Sequence, residues 1–188
     1  MYHNPIQVSE ELLPIVNAKD EVIGTEKRGI IHQKRLLHRA VHILLFNASG
    51  QIYLQRRSLN KDAAPGKWDS SASGHVDPGE SYFVAAKREL SEELNLLGAP
   101  KLTEVAKLPA SRQTGMEFTM IYQTYSDETP DPNPHEIMEG RWILPEDLDT
   151  WMESEPKVFA GCFRLVWKTF RKSITHSVHP DTPEPSIA

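Results

Sequence analysis

Residues 74–96 read GHVDPGESYFVAAKRELSEELNL. The opening Gly74-His75-Val76-Asp77-Pro78-Gly79 is turn-rich. Ser81 to Leu94 holds neither glycine nor proline and is long enough for almost four helical turns. At roughly 100° per residue, Glu89, Glu92 and Glu93 share an arc of about 100°. Phe83, Leu90 and Leu94 form a separate apolar stripe expected to pack on a core. Asn95 follows the last turn, where a left-handed residue ends a helix and Asn is the next most tolerant after Gly.

Three carboxylates on one arc repel each other. Glu89 and Glu93 are an i,i+4 like-charge pair, which costs roughly 0.2–0.5 kcal/mol on a solvated helix. Burial raises that cost and drives protonation. A hard divalent cation removes the repulsion and takes carboxylate oxygens as ligands. Clustered Glu alone also suit a solvated acidic face, so the flanking spacing decides.

That spacing is Gly74, five residues, Glu80, seven residues, Arg88-Glu89-Leu90, one residue, Glu92-Glu93, one residue, Asn95-Leu96. It resembles the signature of the Nudix hydrolases, G-x5-E-x7-R-E-U-x-E-E-x-G-U with U aliphatic. Asn95 stands where the pattern has glycine, a departure at the helix cap and not in the chemistry. The resemblance spans roughly residues 37–148. It implies an α/β (α+β) fold, an αβα sandwich around a mixed β-sheet, and a metal-dependent hydrolase that cleaves a diphosphate linkage. Such hydrolysis needs charge neutralisation at phosphoryl oxygens and an activated water, both of which Mg²⁺ supplies.

By this resemblance Mg²⁺, or alternatively Mn²⁺, is held by Glu89, Glu92, Glu93 and the peptide carbonyl of Ser73. Glu89 is a ligand, a water-orienting base, or both. Glu136, six residues before Trp142, matches a downstream catalytic carboxylate, with Glu117 as its competitor. Glu80 and Arg88 take a structural role, pinning the loop onto the helix. The implied substrates are small molecules, nucleoside diphosphates linked to another group, and a homodimer is a common arrangement among such proteins. Arg56, Arg57 and Lys61 follow a strand and precede a polar loop. As cations they suit substrate phosphates, or else are ordinary surface charge.

The chain has 188 residues, 39% hydrophobic and 25% charged, ordinary values for a soluble globular protein. One domain over 1–178 is expected, including an N-terminal hairpin at 10–26. Residues 179–188, with three prolines, are expected to be a disordered tail. A net charge of −5 argues against a general nucleic-acid binder. The single cysteine, Cys162, excludes an internal disulfide and suits a reducing compartment. No apolar run reaches the roughly 18 residues of a membrane span, and the N-terminus lacks a secretory pattern, so the cytoplasm is expected.

Along the chain, strands are expected at Ala40 to Phe46 and Gln51 to Arg56, joined as a hairpin through Asn47-Ala48-Ser49-Gly50. Further strands are expected at Lys101 to Leu108, Phe118 to Tyr125 and Arg141 to Leu144. A short helix is expected from Arg28 to Leu37. Phe159, Phe163, Val166, Phe170 and Ile174 mark an amphipathic C-terminal helix.

A second resemblance points elsewhere. Leu37-His38, AVHILLFN, SGQIYLQRRS, PGKW and SGH are similar to type I isopentenyl diphosphate isomerase, itself a Nudix-fold enzyme. That resemblance calls for a cysteine directly before the Gly-His pair, where this chain has Ser73. A serine hydroxyl is a poor substitute for a thiol in moving a proton to or from carbon. His38, His75 and Glu117 are the residues an isomerase-like metal site would use. A third reading is a nucleotide-binding module without turnover, against which the retained Arg88-Glu89 and Glu92-Glu93 speak.

Overall fold

A computed structural model describes residues 10–96 and 101–177, and for 175–177 the backbone alone; the expected tail at 179–188 lies outside them. The chain opens with a hairpin, β1 (Leu12–Val16) and β2 (Val22–Lys27), which form their own two-stranded antiparallel sheet. Helix α1 (Arg28–Lys34) ends at Arg35, which is left-handed at φ 54°. Then follow β3 (His38–Phe46), β4 (Ile52–Arg57), β5 (Trp68–Asp69), β6 (Ala72–His75) and α2 (Tyr82–Leu94). The chain continues with β7 (Thr103–Leu108), β8 (Glu117–Tyr125), β9 (Ile137–Ile143), α3 (Pro145–Ser154) and α4 (Gly161–Ser177).

The main sheet runs β5-β4-β3-β8-β7, with β6 also paired to β3 and β9 to β4. At its centre β3 and β8 are parallel in unbroken register from His38↔Glu117 to Phe46↔Tyr125. Because side chains alternate along a strand, β3 feeds two cores. Leu44 and Phe46 pack with Phe163, Val166 and Phe170 of α4. Val41, Ile43 and Leu45 pack with Ala85, Ala86 and Leu90 of α2. This is the expected αβα sandwich with a mixed sheet.

Four details depart from expectation. The β3–β4 hairpin pairs only at Phe46↔Ile52, because β6 inserts alongside β3 from Ala40↔His75 to Ile43↔Ala72 and β4 turns to β9. Ser71 bridges the resulting fork: its hydroxyl accepts from Leu45 N–H at 2.7 Å and donates to the Tyr53 carbonyl at 2.6 Å. Strand β9 starts at Ile137, earlier than Arg141, although its outward residues Met138 to Arg141 are exposed and masked the alternation. Phe159 precedes α4 and bridges Trp68. Phe83 is 42% exposed, because it sits in the first turn of α2, where the helix overhangs the sheet.

Asp20 fastens the hairpin to the body. It stands at φ 64° in the β1–β2 turn. Its Oδ1 accepts from Arg39 Nε at 2.7 Å, its Oδ2 accepts from the Tyr82 hydroxyl at 2.9 Å, and Lys107 Nζ also pairs with it. Burial by itself would raise its carboxyl, but the Lys107, Arg39 and Tyr82 donors outweigh burial and hold it below the ordinary 3.8. Asn tolerates the left-handed conformation, so Asp20→Asn removes the charge alone. We expect it to lower the unfolding free energy by about 1–3 kcal/mol at neutral pH in urea titrations. Because the folded carboxyl is depressed, its contribution is present above 3.8 and lost on acidification, so the gap to wild type closes below that pH.

Candidate active site

Helix α2 is built to stand still. The Ser81 hydroxyl caps its start by accepting from Val84 N–H at 3.2 Å. Asn95 ends it at φ 53° in the left-handed conformation, as expected of that position. The Asp- and Pro-rich loop after β8 then covers the free carbonyls of the last turn. Asp131 N–H donates to Leu94 O at 3.1 Å and Asn133 N–H to Glu93 O at 2.8 Å. That capping carries Glu136 to the site, where Ser58 N–H donates to its carbonyl at 2.8 Å.

The three glutamates of α2 separate by environment. Glu89 and Glu93 are 8% and 2% exposed, on the buried face with Ala85, Ala86 and Leu90. The Glu92 side chain is 58% exposed. Glu89 lies directly over Gly74, where an added Cβ would stand 2.1 Å from its Oε1. A larger residue there would push the carboxylate from this position. Burial first, then the Glu93 charge, push the Glu89 carboxyl up to about 8, against the pull of Arg88. Glu93 Oε2 accepts from Gln55 Nε2 at 2.8 Å and from Ser73 N–H at 3.0 Å. Its Oε1 is buried without a hydrogen-bond partner, and Lys61 Nζ lies 3.6 Å away.

Arg88 binds the loop to the helix. It donates to both Glu80 oxygens, at 3.0 and 2.9 Å, and to the His75 carbonyl at 2.9 Å. It also reaches Glu89 Oε1 at 2.7 Å and Glu92 Oε2 at 3.1 Å. The expected Glu80–Arg88 pair is present. Glu136 joins the cluster from the other side through an ion pair with Lys61. Burial lowers the Lys61 ammonium below its usual range, while the Glu93 charge opposes that shift.

Two expected phosphate contacts are committed elsewhere. Arg57 is buried, and its guanidinium donates to Ala63 O at 2.9 Å and Asp69 Oδ2 at 3.3 Å. Arg56, on the opposite pleat from Gln55, donates to Gly66 O at 3.1 Å and Glu139 Oε2 at 3.2 Å. Both brace the Ser58 to Lys67 loop, and Lys61 alone of the three meets the acidic cluster. The sequence reading missed Gln55. Its signal was a polar residue at a strand position that alternation turns inward, QIYLQR.

A second cluster lies where α1, β3, β6 and β8 meet. Donor atoms of His32, His38, His75 and Glu117 all lie within 4.8 Å of one another. Glu117 Oε1 is 3.5 Å from His38 Nε2 and 3.4 Å from His75 Nε2. His38 Nδ1 meets the Leu36 carbonyl at 2.9 Å. A carbonyl cannot donate, so Nδ1 carries a hydrogen, and in the neutral ring Nε2 is then the lone-pair nitrogen, the orientation that metal-ligating histidines adopt. That Nε2 is buried without a hydrogen-bond partner. Burial pushes His75 down to about 4, despite Glu117. Burial would raise Glu117, but the two imidazoles hold it well below the carboxylate range. The sequence reading named His38, His75 and Glu117 and missed His32. His32 lies six residues before His38, about 1.7 helical turns, so helical spacing gives no signal for it.

The αβα sandwich thus sets a carboxylate-lined helix against a glycine-containing loop. The family model described as NUDIX domain matches residues 36–162, and the chain belongs to that family. A Nudix hydrolase of Deinococcus radiodurans is 37% identical over 142 residues, covering 75% of this chain and 83% of the relative. An isopentenyl-diphosphate Delta-isomerase of Serratia proteamaculans is 32% identical over 163 residues, covering 85% and 90%. The crystal structure of DR0079 from Deinococcus radiodurans superposes with a TM-score of 0.74 at 33% identity, covering 86% of this chain and all of the other. Among the described residues no helix is long and apolar enough to cross a membrane.

The raised Glu89 carboxyl fixes a pH signature. Its folded value of about 8 exceeds its unfolded one, so its contribution to stability is present at low pH and lost as pH rises through 8. We expect the melting temperature of metal-free wild type, relative to Glu89→Gln, to fall between pH 5 and pH 8. Differential scanning calorimetry of the two proteins in chelator checks this.

Proposed function

We propose that the protein is a divalent-metal-dependent hydrolase that cleaves the phosphoanhydride of nucleoside diphosphates linked to another group. The observation that carries this reading is Glu93 Oε1, a buried carboxylate oxygen with no hydrogen-bond partner beside the buried Glu89. The donor set is all oxygen and anionic, which fits Mg²⁺ or Mn²⁺. Glu89, Glu92, Glu93 and the carbonyl of Ser73 would hold the ion. The bound ion would neutralise phosphoryl oxygens and acidify water.

The chain's own groups supply the rest. Water adds to one phosphorus, the bridging P–O bond breaks, and the leaving phosphate keeps that bond's electron pair. Glu89, buried beside Glu93, suits removal of the water proton. Glu136 is the alternative base, held next to the cluster by Lys61. Arg88 keeps Glu89 and the loop in one orientation. We expect Glu93→Gln to lower Mg²⁺-dependent turnover by roughly 100-fold or more on the best substrate of a nucleoside-diphosphate panel. Glu136→Gln with unchanged turnover removes Glu136 from the chemistry. Binding with no hydrolysis across the whole panel would instead favour a non-catalytic module.

The histidine cluster favours a second reading, an isomerase-like enzyme acting on isopentenyl diphosphate. The orphaned His38 Nε2 and three imidazoles with one carboxylate suit a borderline metal such as Zn²⁺. Against isomerisation, Ser73 offers no thiol, and Cys162 is a half-buried group whose thiol is pushed well up by desolvation. We expect the protein to take up Zn²⁺ at this cluster, with His38→Ala losing one equivalent by elemental analysis, and to form no dimethylallyl diphosphate from isopentenyl diphosphate. Product formation would establish the second reading.

A further inference from the structure

We propose that Lys61 is a built-in counter-cation of the acidic cluster, holding the charge position that a divalent ion takes on Glu93 and giving it up when the ion arrives. This rests on the hydrolase reading of the site. Lys61 Nζ stands 3.6 Å from Glu93 Oε1 and is ion-paired with Glu136 Oε2. At 3.6 Å the ammonium supplies charge to Glu93 but no hydrogen bond, and Oε1 has none from any other group. The Lys61 side chain is only 20% exposed, so little water screens the pair.

An ion at coordination distance from Glu93 Oε1 would face that ammonium across about 6 Å or less. Like charges so close, in so dry a place, do not coexist without movement. The other carboxylate contacts are fixed: Glu93 Oε2 is held by Gln55 and Ser73, and Glu89 is held by Arg88. Lys61 is the movable member, a point charge on a flexible four-carbon stem, whose backbone N–H donates to Ser58 O at 3.2 Å while its ammonium is held by the Glu136 and Glu93 charges alone. Arg56 and Arg57 are occupied in bracing the same loop. Of Arg56, Arg57 and Lys61, the displaced ammonium is therefore the one left to meet a substrate phosphate. Ion loading and diphosphate capture are linked through one side chain, which separates Lys61 from a simple phosphate contact.

The test measures Mn²⁺ binding without substrate, by electron paramagnetic resonance of the free ion. Lys61→Met should bind Mn²⁺ about tenfold more tightly than wild type, or ~1.4 kcal/mol. Lys61→Arg, which keeps the charge, should stay near wild type. Inorganic pyrophosphate in saturating Mn²⁺ should bind more weakly to Lys61→Met, and a purely structural role would not move the two affinities in opposite directions. Near-UV circular dichroism checks the fold, and Lys61→Gln replaces Lys61→Met if the latter does not fold. Equal or weaker Mn²⁺ binding by the neutral variants overturns the proposal while leaving the hydrolase reading intact. Equal Mn²⁺ binding by wild type and Glu93→Gln overturns the hydrolase reading and the proposal with it.

Discussion

Two carboxylates, Glu89 and Glu93, face inward on a helix that packs against a sheet, and the surroundings of the site follow from that. Burying like charges one turn apart is costly. The neighbourhood offsets the cost group by group. Arg88 donates to Glu89, and Gln55 and the Ser73 N–H donate to Glu93. Small residues, Ala85 and Ala86, line the same face of α2 and are fully buried, which lets the helix approach the sheet closely. Gly74 leaves room for the Glu89 carboxylate itself. One oxygen, Glu93 Oε1, remains without a hydrogen bond. Replacing a buried ionic cluster with apolar groups is often neutral or stabilising, so stability does not account for its presence. A ligand does.

The central helix was legible because its signals are local. A capping serine, a run free of glycine and proline, and a tolerant residue at the end fix Ser81 to Asn95 without knowledge of the rest. The cores were legible through alternation on β3 and the spacing of Phe163, Val166 and Phe170. The arc of three glutamates was legible, but its split was not. Helical periodicity puts Glu89 and Glu93 beside the apolar stripe, yet only the packing of α2 on β3 and β6 makes that arc the buried one. Glu92 stays outside because it lies on the far side of the same arc.

What escaped the sequence is what depends on strands changing partners. An NASG turn between two apolar runs reads as a plain hairpin, and nothing near it says that β6 will enter the fork. The roles of Ser71 and Gln55 exist only because it does. The committed positions of Arg56 and Arg57 were equally hidden. A strand-end arginine looks the same whether it meets a phosphate or a loop carbonyl, and the choice here is made by Asp69, Glu139 and the carbonyls of Ala63 and Gly66.

Strand β6 explains how acidic and imidazole clusters coexist within three residues. Alternation sends Gly74 toward α2, under Glu89, and sends Ser73 and His75 to the opposite face, where His75 joins His38 and Glu117. The backbone of the same strand serves both sides: the Ser73 N–H donates to Glu93, and the His75 carbonyl accepts from Arg88. A shift of β6 against β3 by one residue would exchange the two faces and destroy both clusters at once. The register Ala40↔His75 to Ile43↔Ala72 is therefore a constraint on chemistry as much as on folding. Arg88 ties the same strand to α2 from outside the sheet, through its bond to the His75 carbonyl.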